Sequence, residues 1–206
     1  MPDSDPILTK AEELVREVRQ LLDRPADRAA LRHSLGRQPE DATLAVHRII
    51  VRHLPGGQPD EATERAFYAV PAYIAAQPRQ ARDQDAAAGA HPPGPGRRQN
   101  FGESLARAAF RAGPAASGRM DARLQLLARQ DLDGLHRQLP RLVLHLRADL
   151  VRIDWPVLVR DLARWGRDPK RVAKEWMQSY YRTSERLTAE KKHDAAAAAG
   201  HGNEET

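Results

Sequence analysis

Residues 153–165 read IDWPVLVRDLARW, and this stretch decides the class of fold. Asp154 is suited to cap the start of a helix, because its carboxylate can accept a hydrogen bond from an unpaired backbone amide. Leu158, Leu162 and Trp165 then recur at the spacing of one helical face, and the glycine that follows can end the helix. The stretch therefore predicts an amphipathic helix, with its tryptophans packed in the core rather than stacked on bases.

The same spacing of apolar residues continues on both sides of this helix. Asp5, Asp60 and Asn100 are further candidate caps, whereas Pro71 and Pro140 are expected to kink or divide the helices that contain them. The Gly- and Pro-containing segment 113–118 is predicted to be a loop. The predicted helices cover residues 5–22, 25–36, 39–54, 60–77, 100–112, 119–130, 131–150 and 168–181.

The fold class predicted from this pattern is all-α, arranged as two small helical bundles joined by a flexible connector. Aromatic residues make up only 5% of the chain, which favours packing by leucine, valine and alanine over a β-sandwich. The connector lacks apolar periodicity and is interpreted as a tether, although its arginines could also touch a polyanion. The predicted divisions are an N-terminal bundle at 1–77, the connector at 78–99, a basic C-terminal bundle at 100–190 and a disordered tail at 191–206.

The residues that usually carry catalysis or hold metals are sparse. The chain contains no cysteine, and its eight histidines are not spaced to place two rings on one turn of a helix. We find no nucleophile motif and no phosphate-cradling loop, so we expect neither enzymatic activity nor a cofactor or metal. No apolar run is long enough for a membrane span and no secretory signal is visible, which gives a cytoplasmic location by default.

Positive charge is concentrated in the second half of the chain. Residues 1–77 carry 10 basic and 12 acidic side chains, whereas residues 100–190 carry 17 and 11. Of the 33 basic residues in the whole chain, 28 are arginine, whose planar guanidinium can hold a phosphate through two parallel hydrogen bonds. This distribution favours binding to a polyanion by the second half.

The basic residues of the second half also align on the predicted helices, away from the leucine stripes. Such residues can form an ordinary solvated face, but several sets within one segment favour a surface for a nucleic-acid backbone. Contacts of this kind are electrostatic and independent of sequence; with four to six phosphates, the log–log salt slope would be about −3 to −5. The candidate binding residues are Arg107, Arg111, Arg119, Arg123, Arg129, Arg137, Arg141, Lys170, Arg171 and Lys174.

Three stretches together resemble a known family. They are SLARA at 104–108 followed by GRMDARL at 118–124; then IDWPVLVRDLARW at 153–165; and RVAKEW at 171–176 with the Tyr-Tyr pair at 180–181. This combination resembles the CasB family, the small subunit of the type I-E CRISPR Cascade complex. The resemblance covers about residues 100–182, and the N-terminal half agrees only in size and helix content.

The resemblance implies a two-bundle helical protein without enzymatic activity. It implies as partners crRNA, target and non-target DNA, other Cascade subunits and a second copy of the chain, with no membrane. In relatives, basic surfaces help to hold the guide–target hybrid and the displaced strand. Basic positions of the family match Arg107, Arg119, Arg123 and Arg141, of which Arg141 is the first candidate; the other six residues rest on the charge argument alone.

Two alternatives remain open at this point. The helices at 154–166 and 168–181 could form a helix-turn-helix DNA-binding regulator, but the face that would read DNA carries Val172, Trp176 and Tyr180, which the pattern predicts to be buried. The chain could also be a helical adaptor that binds only protein and uses its arginines for ion pairs.

Overall fold

The computed structural model describes residues 5–89 and 98–201, and within these ranges it contains α-helices, 3-10 turns and no strand. The all-α prediction is confirmed. In the same ranges, no helix is both long and apolar enough to cross a membrane. The helices are α1 (Pro6–Leu21), α2 (Pro25–His33), α3 (Leu44–Ile50), α4 (Glu61–Ala76), α5 (Arg79–Gly89), α6 (Phe101–Ala112), α7 (Pro114–Ala128), α8 (Leu132–Ala148), α9 (Trp155–Trp165) and α10 (Pro169–His201).

The predicted helix starts are set by side-chain caps. Asp5, Asp60, Asn100 and Asp154 each accept a hydrogen bond from a backbone amide two or three residues further on, as the sequence predicts. Asp131 caps α8 in the same way, through the Gly134 amide at 2.7 Å. Each cap satisfies a backbone donor that would otherwise lack a partner at the first turn of its helix.

Two prolines that the sequence predicts to kink or divide their helices do not divide them. α4 continues through Pro71 and α8 through Pro140, and both residues lie inside a single helix. An internal proline removes one backbone hydrogen bond, but both prolines are buried, Pro71 between Val70 and Ala72 and Pro140 between Leu139 and the exposed Arg141, with Leu142 and Val143 buried on the next turn. Packing of both ends of each helix into the core therefore keeps it in one piece.

The prediction of a loop at 113–118 is wrong, because α7 begins at Pro114. Gly113 alone reverses the chain between α6 and α7, with a φ of 85° that lies in the region favoured by glycine. Pro114 then occupies the first helical position, where its missing amide hydrogen costs nothing.

The connector predicted to be flexible is helical over Arg79–Gly89; residues 90–97 lie outside the described ranges. Its α5 helix is held by Asp85, which is buried and accepts hydrogen bonds from Arg147 Nη2 and Trp155 Nε1, both at 2.8 Å. The sequence did not reveal this helix because its main anchor is a polar side chain rather than an apolar stripe.

Both halves of the chain contribute buried apolar residues to one continuous core. α9 packs against α1 and α4 of the first half, while α6 packs against α7 and α10. Buried apolar residues from both halves form one continuous cluster, with Trp155, Trp165 and Trp176 among its largest members. An ion pair between Arg65 and Asp133, at 2.5 Å, also joins α4 to α8. The two halves therefore pack against each other, and their division into two bundles stays a prediction.

The tail predicted to be disordered from residue 191 is helical through His201, and residues 202–206 lie outside the described ranges. The end of α10 runs beyond the core, with residues 191–197 exposed. Its alanine-rich sequence has high intrinsic helix propensity, which explains a helix without an apolar face. Lys191 Nζ lies 5.9 Å from the centre of the Phe110 ring and links this segment to α6.

Candidate nucleic-acid interface

A groove of about 540 Å³ lies between α7 and α8 on the surface of the second half. The two helices pack together, so side chains from both reach the same depression. From α7 it is lined by Arg123, Leu126 and Leu127, and from α8 by Arg137, Gln138, Arg141, Leu142 and His145.

Helical periodicity places the groove arginines opposite the buried leucines. On α8, Arg137 and Arg141 are four residues apart and exposed, and His145 continues the row. Leu139 and Leu146, on the other face, are fully buried. The core therefore fixes the rotation of α8 and points its basic row outward.

The groove carries positive charge that no neighbouring acid neutralises. Its lining contains no aspartate or glutamate, and within the described residues Arg123, Arg137 and Arg141 form no ion pair. Two acids lie near the ends of the row: Asp149, whose carboxylate lies 3.9 Å from His145 Nε2, and Asp133, which forms its ion pair with Arg65 and also lies close enough to Arg137 to feel its charge. Three unpaired guanidinium groups in one concave surface attract a polyanion, and each can hold a phosphate with two hydrogen bonds.

Leu126 is an unexpected member of the groove. Half of its surface is exposed, whereas Leu124 and Leu127 are buried. An apolar side chain between arginines can pack against the sugar or base face of a nucleotide while the guanidinium groups hold phosphate. Helical spacing is the signal that separates them, because Met120, Leu124 and Leu127 recur at steps of four and three, whereas Leu126 is two residues from Leu124 and lies on the opposite face.

Arg119 and Arg129 extend the basic surface along α7 without lining the groove. Arg119 lies one turn before Arg123 on the same helical face, and Arg129 follows the last residue of α7. Both are exposed, and neither has an ion-pair partner in the described part of the chain.

The remaining candidates are not gathered at the groove, and two of them bind other parts of the protein. Arg111 donates hydrogen bonds to the carbonyl oxygens of Asp149 and Leu150, both at 3.3 Å, just beyond the end of α8. Arg171 forms an ion pair with Glu175 at 3.2 Å.

Three more candidates also lie outside the groove lining. Arg107 is partly buried on α6. Lys170 and Lys174 are exposed on the first turns of α10 and form no ion pair among the described residues. The structure thus supports Arg123, Arg137 and Arg141 as one cluster and leaves the other candidates dispersed.

A smaller hollow of about 280 Å³ adjoins the groove through Arg137, which lines both. Arg65 and Asp133 form their ion pair at its wall, and Arg37 adds a further positive charge. Burial and, to a smaller extent, the positive charge of Arg65 lower the pKa of His136, also in the wall, to about 4. His136 is therefore neutral at neutral pH and adds no charge to the hollow.

The tryptophans are buried in the core and are not available to stack on bases, as the sequence predicts. Trp176 Nε1 donates a hydrogen bond to Asp161 at 2.8 Å, and Asp161 also pairs with Arg160 at 2.7 Å. Asp161 is buried, with only 1% of its surface exposed. Burial raises the pKa of Asp161, and the charge of Arg160 opposes that shift.

Comparison with known families gives a match over most of the chain. The family described as CRISPR-associated protein Cse2 matches residues 27–181. This range starts within the N-terminal half, where the sequence resemblance extends only to size and helix content. Among curated proteins, none matches the chain.

Solved structures provide close relatives of the whole fold. A chain of a CRISPR RNA-guided surveillance complex is 51% identical; the match covers 90% of this chain and 99% of that chain, with a TM-score of 0.78. A chain of a pre-nicking form of such a complex is 52% identical over the same shares, with a TM-score of 0.79. M. ruber CasB is 23% identical over 87% of this chain and 97% of its own, with a TM-score of 0.70, and it supports the fold alone.

Proposed function

The chain belongs to the CRISPR-associated Cse2 family, and we propose that it is a non-catalytic, nucleic-acid-binding subunit of a CRISPR RNA-guided surveillance complex. In this role it contacts crRNA, target DNA and displaced non-target DNA, and it assembles with other Cascade subunits and a second copy of itself. Its contacts with nucleic acid are made to phosphates and do not depend on base sequence.

The observation that carries this proposal is the groove between α7 and α8. Arg123, Arg137 and Arg141 converge there without an acidic partner, and the exposed Leu126 lies among them. A surface used only for solvation would not need three unpaired guanidinium groups in one concavity. The chemistry of the groove suits a strand that presents successive phosphates.

In guide-directed recognition, the nucleic acid and the protein have separate tasks, and such a surface suits the task of the protein. Base pairing between guide RNA and target strand reads the sequence, and protein subunits supply a positively charged path for the backbones. A subunit of this kind needs arginines on rigid helices and no groups that read base edges. We propose that the groove stabilises the guide–target hybrid and the displaced strand in this way.

The helix-turn-helix alternative receives no support from the packing of α9 and α10. Its recognition helix would be α10, but Val172, Trp176 and Tyr180 are buried against the rest of the protein. A recognition helix must present one long face to the major groove. The exposed start of α10 offers only Lys170, Arg171 and Lys174 for such a contact.

The salt dependence of nucleic-acid binding tests the groove. We expect Arg123→Gln/Arg137→Gln/Arg141→Gln to weaken binding to single-stranded DNA and to reduce the steepness of the log–log salt slope by about 2, if each arginine neutralises one phosphate. Fluorescence anisotropy of a labelled oligothymidylate strand, measured across a salt series, gives both quantities.

The matched control removes three exposed cations from outside the groove, in the variant Arg48→Gln/Arg182→Gln/Lys192→Gln. Both variants lower the net charge equally, so a general electrostatic effect would change their slopes alike. Equal slopes would contradict a groove-specific interface. If groove variants bind nucleic acid normally but fail to assemble with the other subunits, the protein-adaptor alternative is correct.

A further inference from the structure

A second basic cavity lies far from the α7–α8 groove in sequence and shares no residue with it. Its volume is about 410 Å³, and it is enclosed by α1, α2, the end of α4 and α5. Four arginines line it: Arg19 from α1, Arg28 from α2, and Arg79 and Arg82 from α5. Arg19 and Arg28 belong to the range 1–77, in which acidic side chains outnumber basic ones.

The cavity exists because α5 is fixed in place by buried polar contacts. Asp85 accepts hydrogen bonds from Arg147, Trp155 and the side chain of Gln77. Arg82 Nη1 donates to the Gln77 carbonyl oxygen at 2.7 Å, which holds its guanidinium at the cavity wall. The arginines of α5 are therefore placed opposite those of α1 and α2 by the fold.

The acidic residues at the cavity do not balance these arginines. Asp85 is neutralised by Arg147, with which it forms an ion pair at 2.8 Å. Asp83 lies 3.8 Å from Arg79, on the exposed side of α5, and Asp23 forms no ion pair among the described residues. With Arg147 counted against Asp85, the lining retains an excess of two positive charges.

Two features of the lining favour an anionic ligand. Burial lowers the pKa of Arg82, and the nearby positive charge of Arg28 lowers it further, because like charges disfavour the protonated form. The Nε of Arg19 is buried and has no hydrogen-bond partner. A buried donor without a partner is costly, so this side chain of the cavity lining has hydrogen-bonding capacity still unused.

We propose that this cavity binds a phosphate group of a nucleic-acid backbone, as a contact separate from the α7–α8 groove. A phosphate oxygen can accept hydrogen bonds from several guanidinium groups at once, and its charge would relieve the repulsion between Arg28 and Arg82. The inference rests on the proposed function in taking a nucleic acid as the source of the phosphate. It does not depend on the groove.

The variant Arg19→Gln/Arg28→Gln tests the cavity. The Nε of Arg19 has no partner to lose, and Arg28 makes one hydrogen bond of 3.4 Å to the Leu22 carbonyl oxygen, so the fold should be retained. We expect the salt slope for oligothymidylate binding by the full chain to become less steep by about 0.7, the value for one phosphate on a single strand. The control variant Arg48→Gln/Arg182→Gln loses the same charge from exposed sites and should keep the original slope.

A second readout follows the Nε–Hε resonance of Arg19 by nuclear magnetic resonance during titration with oligothymidylate, inorganic phosphate or an acidic peptide. A shift with oligothymidylate that is absent with the acidic peptide supports the proposal. A shift with inorganic phosphate alone, or with the acidic peptide alone, overturns it, as does a double variant whose salt slope equals that of the control.

The groove and cavity variants can be compared directly. A less steep salt slope in the groove variant but not in the cavity variant would reject the cavity while leaving the proposed function intact. The reverse result would retain the cavity and reject the groove.

Discussion

At the residue scale, Arg147 is the centre of a network of buried hydrogen bonds. Its guanidinium has no exposed surface and donates hydrogen bonds to Asp85, to the side chain of Gln77 and to the carbonyl oxygens of Ala81 and Val151, all at 2.7–2.8 Å. These partners belong to α5, to the residue after α4 and to the segment after α8. Such a charge is stable inside a protein only while its partners remain.

Removal of the acid that pairs with Arg147 should therefore destabilise the protein strongly. We expect Asp85→Ala to lower the free energy of unfolding by about 3–5 kcal/mol, because it leaves a buried cation unpaired. Urea denaturation followed by circular dichroism measures the change. Asp83→Ala is the matched control, two residues away and exposed, and should change stability by less than about 0.5 kcal/mol. Similar losses in the two variants would show that the buried pair has no special role.

The sequence identified the groove arginines but not the buried one, for a physical reason. Arg123, Arg137 and Arg141 occupy positions off an apolar stripe, and helical periodicity alone predicts that such positions face solvent. Arg147 follows Leu146 on the same helix, and its burial depends on Asp85, 62 residues away in the chain. Local spacing carries no information about a partner so distant.

At the scale of elements, the contact between α6 and α10 depends on one glycine. A Cβ placed at Gly102 would meet the backbone carbonyl of Trp176, so the two helices approach more closely than any other residue would allow. Gly118, inside α7, is the opposite case, because a Cβ there would meet no atom within 4 Å.

These two glycines give a paired prediction. We expect Gly102→Ala to lower the free energy of unfolding by about 1–3 kcal/mol, because a backbone atom must move to make room. Gly118→Ala should instead raise it by about 0.5–1 kcal/mol, since alanine restricts the unfolded chain at a helical position. Thermal or urea unfolding of both variants gives the comparison. A stabilised Gly102→Ala variant would contradict the close approach of α6 and α10.

The sequence predicted helices wherever a cap and an apolar stripe coincide, as at Asp60 and Asp154. The predictions of a divided helix and of a flexible connector were wrong, because tertiary packing overrides the local preference there. Pro71 and Pro140 remain inside helices because both are buried in the core, and α5 forms without an apolar stripe because Asp85 anchors it. The resemblance to CasB, which rests on the second half, could not correct these predictions in the first.

At the scale of the whole molecule, the continuous core predicts a single unfolding transition. α9 belongs to the second half of the chain but packs on α1 and α4 of the first, so neither half can lose its structure alone. Tryptophan fluorescence reports α9 and α10, which contain all three tryptophans, whereas far-ultraviolet circular dichroism reports every helix. We expect the two probes to give the same urea midpoint. Separate midpoints would instead favour the two independent bundles predicted from the sequence.

The most direct test of the nucleic-acid interface is photo-crosslinking from inside the groove in an assembled complex. A benzophenone amino acid at Leu126, whose side chain is half exposed among Arg123, Arg137 and Arg141, should crosslink to guide RNA or DNA when the complex holds its target. The same amino acid at Leu44, exposed on α3, serves as the control and should give no such crosslink. Crosslinks from Leu126 to protein subunits alone would show that this groove contacts protein and does not hold a nucleic-acid backbone.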